Sequence, residues 1–132
     1  KLIYFLPLIC WFFIFNYLLF FFKPSGEGGN IPNADKFIHT ILFMILTILG
    51  VFAGIKYYNQ KKKLNSYLRT FILLGILFAA ITELIQAFII PARTGDYADF
   101  IADSIGILIG YYLFTKTLSK MPINLKKLFL KL

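Results

Sequence analysis

Long apolar runs constrain this chain more than any other feature. Residues 2–22 are apolar apart from Pro7 and Asn16, and further runs cover about residues 36–55, 70–90 and 99–114. A helix needs about 20 predominantly apolar residues to cross roughly 30 Å of hydrocarbon. The fourth run is short, so it is expected to start within the preceding loop or to lie in a thinned bilayer. The sequence therefore predicts a single domain over residues 1–132: an all-α, polytopic membrane protein with four transmembrane helices.

Charged residues separate into two groups along these predicted spans. Eleven of the fourteen basic residues are Lys1, the five between residues 56 and 69, and the five in the tail, residues 116–132. The tail mixes lysine with leucine and phenylalanine, which is typical of a basic amphipathic segment on the membrane surface. The positive-inside rule then places both termini in the cytoplasm. The opposite, outward half carries all six acidic residues together with Lys23, Lys36 and Arg93.

The net charge of +8 could suggest a nucleic-acid partner, but the positions of the basic residues argue against one. They flank apolar runs, as in a multi-pass membrane protein, and do not form a basic module. Membrane lipids are therefore the predicted partners.

Polar side chains interrupt three of the apolar runs near their outward ends. A charge in the middle of a span costs about 2.5–3.5 kcal/mol on insertion scales. Spacings of three or four residues place such side chains on one helix face. Because unpaired polar groups are costly in hydrocarbon, the three faces are expected to meet in one outward-facing pocket. The pairs are Lys36 with His39, Glu83 with Gln86, and Asp99 with Asp103.

Several of these residues also have purely structural interpretations. Asp35 or Asn33 would serve as a helix N-cap, and Gln86 would join two helices by a hydrogen bond. Gly106 and Gly110 form a GxxxG pattern, which favours close helix packing over chemistry. Glu83 is harder to explain structurally, because it is predicted to lie roughly 12 Å below Pro91, close to the bilayer centre.

The order of the polar residues resembles the VanZ-like family, which is named for a protein linked to teicoplanin resistance. The resemblance covers about residues 35–112 and implies a membrane protein of the bacterial envelope, here placed in the inner membrane. It also implies a link to glycopeptide susceptibility but leaves the biochemical activity open. The family usually has asparagine where this chain has Asp103, which adds either a potential negative charge or a proton donor. The matching motifs are Asp35-Lys36-x-x-His39, Glu83-x-x-Gln86 and Arg93-x-x-Asp96-x-x-Asp99-x-x-x-Asp103-x-x-Gly106-x-x-x-Gly110.

These residue types suit a site for an anionic envelope lipid or a lipid-linked intermediate, which the protein would bind or modify. His39 is the candidate general acid or base, with Glu83 or Asp103 orienting it or supplying a proton. Positive side chains would hold a phosphate group. The candidate substrate-binding residues are Lys36, Gln86, Arg93, Asp96 and Asp99.

Whether the protein is an enzyme is left open by the sequence, and no cofactor is assigned. A divalent cation held by His39, Asp99 and Asp103 is an open variant, but two acids with a distant histidine form a weak metal pattern, so no metal site is assigned. Two alternatives stand beside catalysis. The protein could bind a lipid or drug without turnover, or it could be a structural subunit of an envelope complex that docks through its first span. A transporter is disfavoured, because four short spans leave little room for alternating access.

Overall fold

The computed structural model describes residues 2–21, 34–58, 60–89 and 96–125, which form four long helices, a 3₁₀ turn and a short helical stretch at 123–125. Each long helix, the first together with the 3₁₀ turn before it, is long and apolar enough to cross a membrane. The predicted all-α fold with four transmembrane helices is therefore confirmed. After a 3₁₀ turn at Leu2–Phe5, the helices are α1 (Leu6–Phe21), α2 (Ala34–Tyr57), α3 (Lys61–Phe88) and α4 (Tyr97–Lys120).

Contacts between the helices show that they alternate in direction. The 3₁₀ turn lies beside the end of α2, where the Phe5 and Tyr57 ring centroids are 5.6 Å apart. At the other end of α1, the Gln86 side chain of α3 donates to the Leu19 carbonyl. We call the helix ends around Lys36, Glu83 and Asp99 the polar end of the molecule. The ends around Lys56, Lys61 and Lys116 are its basic end.

Two helices extend beyond their predicted spans. α3 begins at Lys61, so most of the segment expected to be a loop before Thr70 is helical. Hydropathy predicts the part of a helix that lies in hydrocarbon. Lysine, arginine and glutamine favour helix as well, so a helix can begin before its apolar part. The helix that holds the short fourth run begins within the preceding loop, as one of the two expectations had it, since α4 starts at Tyr97 and runs for 24 residues. That length corresponds to about 36 Å of rise. Residues 116–120 of the predicted tail belong to α4, and its part from residue 126 lies outside the described residues.

α2 and α4 run in the same direction and pack more extensively than any other pair. Gly110 and Gly106 form the seam between them, because a Cβ on Gly110 would lie 2.6 Å from the Met44 carbonyl oxygen. A Cβ on Gly106 would fall on the Thr40 carbonyl oxygen. The Thr40 hydroxyl also lies 3.2 Å from the Ala102 carbonyl of α4, which it can reach as a donor. The predicted packing role of the two glycines is confirmed.

An aromatic core lies between α1, α2 and α3. The rings of Phe15 and Phe43 meet edge to face at 4.9 Å, and Phe78 packs against both. Trp11 lies beside this core and donates its indole N–H to the Leu42 carbonyl. The hydrocarbon tails of lipids are as apolar as these rings, so the hydrophobic effect contributes little to helix association here. Van der Waals packing between complementary helix surfaces stabilises the bundle instead.

Towards the basic end from this core lies an apolar cavity of about 410 Å³, a volume within the range of ligand pockets. All four helices contribute to its wall. The Thr47 hydroxyl donates back to the Phe43 carbonyl, so Thr47 does not make the wall polar. The lining residues are Leu8, Ile9, Phe12, Phe13, Leu46, Thr47, Phe71, Leu74, Gly75, Phe78 and Ile107.

Candidate functional site

Polar side chains from α2, α3 and α4 converge at the polar end. The expected meeting of the three polar faces is therefore present in the structure. The cluster is graded from surface to interior, because the side-chain exposure falls from 48% for Asp96 and 32% for Lys36 to 11% for Glu83. His39 and Asp103 are fully enclosed.

His39 and Asp103 form the buried centre of the site. The His39 Nδ1 atom lies 3.0 Å from the Asp103 Oδ1 atom, across the seam between α2 and α4. The Glu83 Oε1 atom of α3 lies 3.8 Å from the same ring nitrogen. An imidazole nitrogen that faces two carboxylates can share or transfer a proton, or bind a cation together with their oxygens. The three residues predicted as the chemical centre are thus in direct contact, although their roles stay predictions.

Lys36 occupies the exposed edge of the cluster and bridges two aspartates. Its ammonium group lies 2.7 Å from the Asp96 carboxylate and 3.1 Å from the Asp99 carboxylate. Asp96 is also the N-cap of α4, where it accepts the Ala98 N–H. These two partners, Lys36 first, hold the pKa of Asp96 below its usual value. The predicted phosphate holder is therefore already paired with carboxylates.

Glu83 connects α3 to the start of α4. Its Oε2 atom accepts the backbone N–H of Asp96 at 3.1 Å, so it lies level with the N-terminus of α4. Glu83 is thus near the C-terminal end of α3, which ends at Phe88. Its expected position close to the bilayer centre stays a prediction.

Gln86 and Arg93 stand apart from this centre. The buried Gln86 amide donates to the Leu19 carbonyl at 3.1 Å, which ties α3 to α1. This is the helix-joining bond that its structural interpretation requires, and a contact with substrate stays a prediction. Arg93 lies outside the described residues, so its part in phosphate binding also stays a prediction.

Asp35 lies beside the site, and the sequence had left it open as either a helix cap or a member of the pocket. It falls in the first turn of α2, and its carboxylate lies with His39 and Asp99 in a group whose potential ligand atoms are within 4.8 Å of one another. The four-residue spacing from His39 was the available signal. His39, Glu83 and Asp103 form a second group of the same dimensions. Either group could hold a metal ion.

The site carries more negative than positive side chains. Lys36 and His39 are the basic side chains that the described residues contribute, against the five carboxylates of Asp35, Glu83, Asp96, Asp99 and Asp103. Buried charges of one sign are costly in a medium of low dielectric constant. The cluster therefore needs protons or a cation to balance it.

Fold and site together define a class: a small multi-pass membrane protein that encloses a histidine–carboxylate cluster between the ends of three helices. The family model described as VanZ/LLP1 matches residues 1–119. The chain therefore belongs to the VanZ/LLP1 family, which confirms the resemblance seen in its motifs. No curated protein and no solved structure matches the chain.

Proposed function

We propose that this protein binds an anionic envelope lipid or lipid-linked intermediate at the polar end, with the head group against the cluster. The observation that carries the proposal is the buried contact of His39 with Asp103 and Glu83. Ionisable side chains inside a membrane are expensive, and those that occur usually mark a ligand or proton pathway. A head group would meet Lys36 and Asp96 first, because these are the most exposed members of the cluster.

The shape of the helix bundle supports an amphiphilic ligand. The apolar cavity lies along the same helix faces as the cluster, because Ile107 follows Asp103 by one turn and Thr47 follows His39 by two. On an α-helix these spacings correspond to about 6 and 12 Å. An acyl or prenyl chain would run from the head-group site along this side of the molecule towards the cavity.

His39 gives the site a group that can move a proton at neutral pH. Its contact with Asp103 fixes the imidazole, which is the usual role of a carboxylate beside a general base. The reaction class that these residues suit is transfer or hydrolysis at a phosphoryl or acyl group. Binding alone needs the same head-group contacts but no proton transfer.

A lipid assay with purified protein tests the proposal. Labelled phospholipid and polyprenyl phosphate are offered in detergent, and both binding and product formation are measured. We expect His39→Ala and Glu83→Gln to lower turnover by about 100-fold or more, the usual contribution of acid–base catalysis. Lys36→Met should weaken binding, whereas the matched control Lys62→Met, at the basic end, should not.

Each outcome of this assay is informative. Binding that depends on Lys36 but yields no product would identify a lipid-binding protein without catalysis. Full turnover in both His39→Ala and Glu83→Gln would remove the catalytic role. If the wild type binds both lipids no better than Lys36→Met and His39→Ala do, the proposed function is wrong.

We also propose that the polar end faces outward from the bacterial inner membrane and that both termini are cytoplasmic. The basic end supports this orientation, because Lys61, Lys62, Lys63 and Arg69 are exposed there. In a Cys10→Ala background, Lys62→Cys should react with an impermeant maleimide only after the membrane is permeabilised. Ser25→Cys, in the opposite connection, should react in intact cells. The reverse pattern would contradict the orientation.

A second candidate function is that of a subunit in a larger envelope complex. It is favoured by α1, which exposes most of its large side chains, including Phe12, Phe13 and Tyr17. A partner that copurifies through this surface, and does so equally well with His39→Ala, would support this role.

The family further suggests that deleting the protein changes teicoplanin susceptibility, which growth inhibition assays can measure.

A further inference from the structure

We propose that His39, Glu83 and Asp103 bind a divalent first-row transition-metal ion. The inference concerns the site of the proposed function but stands on its own geometry, whether or not a lipid binds there. The ligand atoms would be the imidazole Nδ1, the Glu83 Oε1 and one oxygen of Asp103.

The distances between these atoms fit a shared ion. Metal–nitrogen and metal–oxygen bonds of about 2.0–2.2 Å place tetrahedral ligands about 3.4 Å apart and adjacent octahedral ligands about 3.0 Å apart. The observed separations from His39 Nδ1 are 3.0 Å to Asp103 and 3.8 Å to Glu83. All three ligand atoms lie within 4.8 Å of one another, so small movements of the side chains would complete a site.

Polar atoms without partners point to the same ion. Within the part of the chain that the structure describes, Glu83 Oε1 and Asp103 Oδ2 are buried and have no hydrogen-bond partner. Buried polar atoms are nearly always satisfied, so each exception calls for an explanation. A proton shared between His39 Nδ1 and Asp103 Oδ1 explains that hydrogen bond. It leaves Glu83 Oε1 and Asp103 Oδ2 without a hydrogen-bond partner. A cation bound by Glu83 Oε1 would satisfy that oxygen, and it would also satisfy Asp103 Oδ2 where Asp103 binds through both of its oxygens.

Charge also favours a cation at this position. Lys36 lies between Asp96 and Asp99, and so its charge is already offset by two carboxylates. Among the described residues, His39 is the basic side chain that Glu83 and Asp103 contact. One imidazole and two carboxylates are the ligands that Zn²⁺ and Mn²⁺ accept, whereas Mg²⁺ and Ca²⁺ prefer oxygen alone.

The ion would change what the site can do. Three protein ligands leave further coordination positions open, as in catalytic rather than structural metal sites. A phosphate oxygen could occupy such a position, which would let an acidic cluster bind an anionic head group. With Nδ1 on the metal, the ring proton would reside on Nε2. His39 would then act as a ligand and no longer as a base, and its buried Nε2 atom has no hydrogen-bond partner among the described residues.

Metal binding is measured on full-length protein purified in detergent, without added lipid and through a tag that contains no histidine. After loading with Zn²⁺ or Mn²⁺ and removal of free metal, we expect about one ion per chain. Mg²⁺ and Ca²⁺ should compete poorly. Loss of a partner that merely orients a ligand typically costs 10–100-fold in affinity, so His39→Ala and Glu83→Gln should each cost about 100-fold or more. Cobalt absorption should show nitrogen ligation that His39→Ala removes.

Controls separate a true site from adventitious binding and from misfolding. Cys10→Ala should retain the ion, since Cys10 is an exposed residue of α1 and not part of the cluster. Lys36→Met removes a neighbouring positive charge and should bind the ion at least as tightly. Zn²⁺ should raise the unfolding temperature of the wild type, but it should do so much less in the folded variant Asp103→Asn.

Two results would overturn the inference. One is less than a tenth of an ion per chain at micromolar free Zn²⁺ and Mn²⁺. The other is binding that survives unchanged in both His39→Ala and Glu83→Gln. Because no lipid is present, either result leaves the lipid proposal standing. Conversely, a bound ion without any lipid binding would contradict only the proposed function.

Discussion

Gly106→Ala is expected to lower the free energy of unfolding by about 3 kcal/mol, at the upper end of the range for overpacked interiors. The added methyl group would fall on the Thr40 carbonyl oxygen and come within 3.2 Å of the Met44 backbone nitrogen. Both obstacles belong to the backbone of α2, so no side chain can turn away to relieve them. The helices must separate, and His39 and Asp103 would separate with them.

Gly75→Ala provides the matched control for this substitution. A Cβ at Gly75 would meet the tip of the Ile107 side chain at 3.4 Å, an ordinary contact distance. The unfolding of both variants can be followed by circular dichroism in mixed micelles as denaturing detergent is added. If Gly106→Ala is no less stable than Gly75→Ala, the tight contact between α2 and α4 is wrong.

His39→Leu is expected to destabilise the metal-free protein by about 3–5 kcal/mol, the usual effect of removing one partner from a buried charged pair. The substitution leaves Asp103 and Glu83 without the imidazole that lies between them. Asp103→Leu should have a comparable effect on its own. The double variant His39→Leu/Asp103→Leu should be more stable than the sum of the two losses predicts, because it removes both members of the pair.

Thermal unfolding in the presence of a chelator measures this double-mutant cycle. The chelator separates the pairing of His39 with Asp103 from any contribution of bound metal. Thr115→Val is a suitable control, since Thr115 lies on α4 near the basic end and its hydroxyl bonds within its own helix. Additive effects of His39→Leu and Asp103→Leu would show that the two side chains do not interact.

The sequence predicted the convergence of the polar residues because a membrane leaves them few alternatives. Lys36, His39, Glu83 and Asp103 interrupt apolar runs, and hydrocarbon penalises each of them unless they meet. Helical periodicity then determines which side of each helix carries the polar residues and must contact the polar sides of the other helices. The same reasoning identified the Gly106–Gly110 seam, because small residues at a four-residue spacing favour close approach.

Other features depend on packing that periodicity does not encode. The early start of α3 at Lys61 was missed because hydropathy follows the bilayer and not the helix. The pairing of Lys36 with Asp96 and Asp99 was also not predicted, since it requires knowing how α2 and α4 are aligned. This last contact has the largest functional consequence, because it occupies the lysine expected to hold a phosphate.

The excess of carboxylates among the described residues of the cluster therefore limits how an anionic ligand can bind. A phosphate must displace a carboxylate from Lys36, draw on Arg93, or share a cation with the site. The first and third routes make different predictions for Lys36→Met, which abolishes the first and leaves the third intact. Lipid binding by this variant with and without Zn²⁺ would therefore distinguish them.

The central claim is that the cluster at the polar end holds an anionic lipid, and the most direct test is to identify the lipid that accompanies the protein from its membrane. Native mass spectrometry of the gently extracted protein measures this ligand for the wild type, Lys36→Met, His39→Ala and the control Lys62→Met. We predict about one anionic lipid per chain in the wild type and in Lys62→Met, and its loss from Lys36→Met, His39→Ala or both. An identical lipid complement in all four proteins, matching the bulk membrane, would contradict the claim.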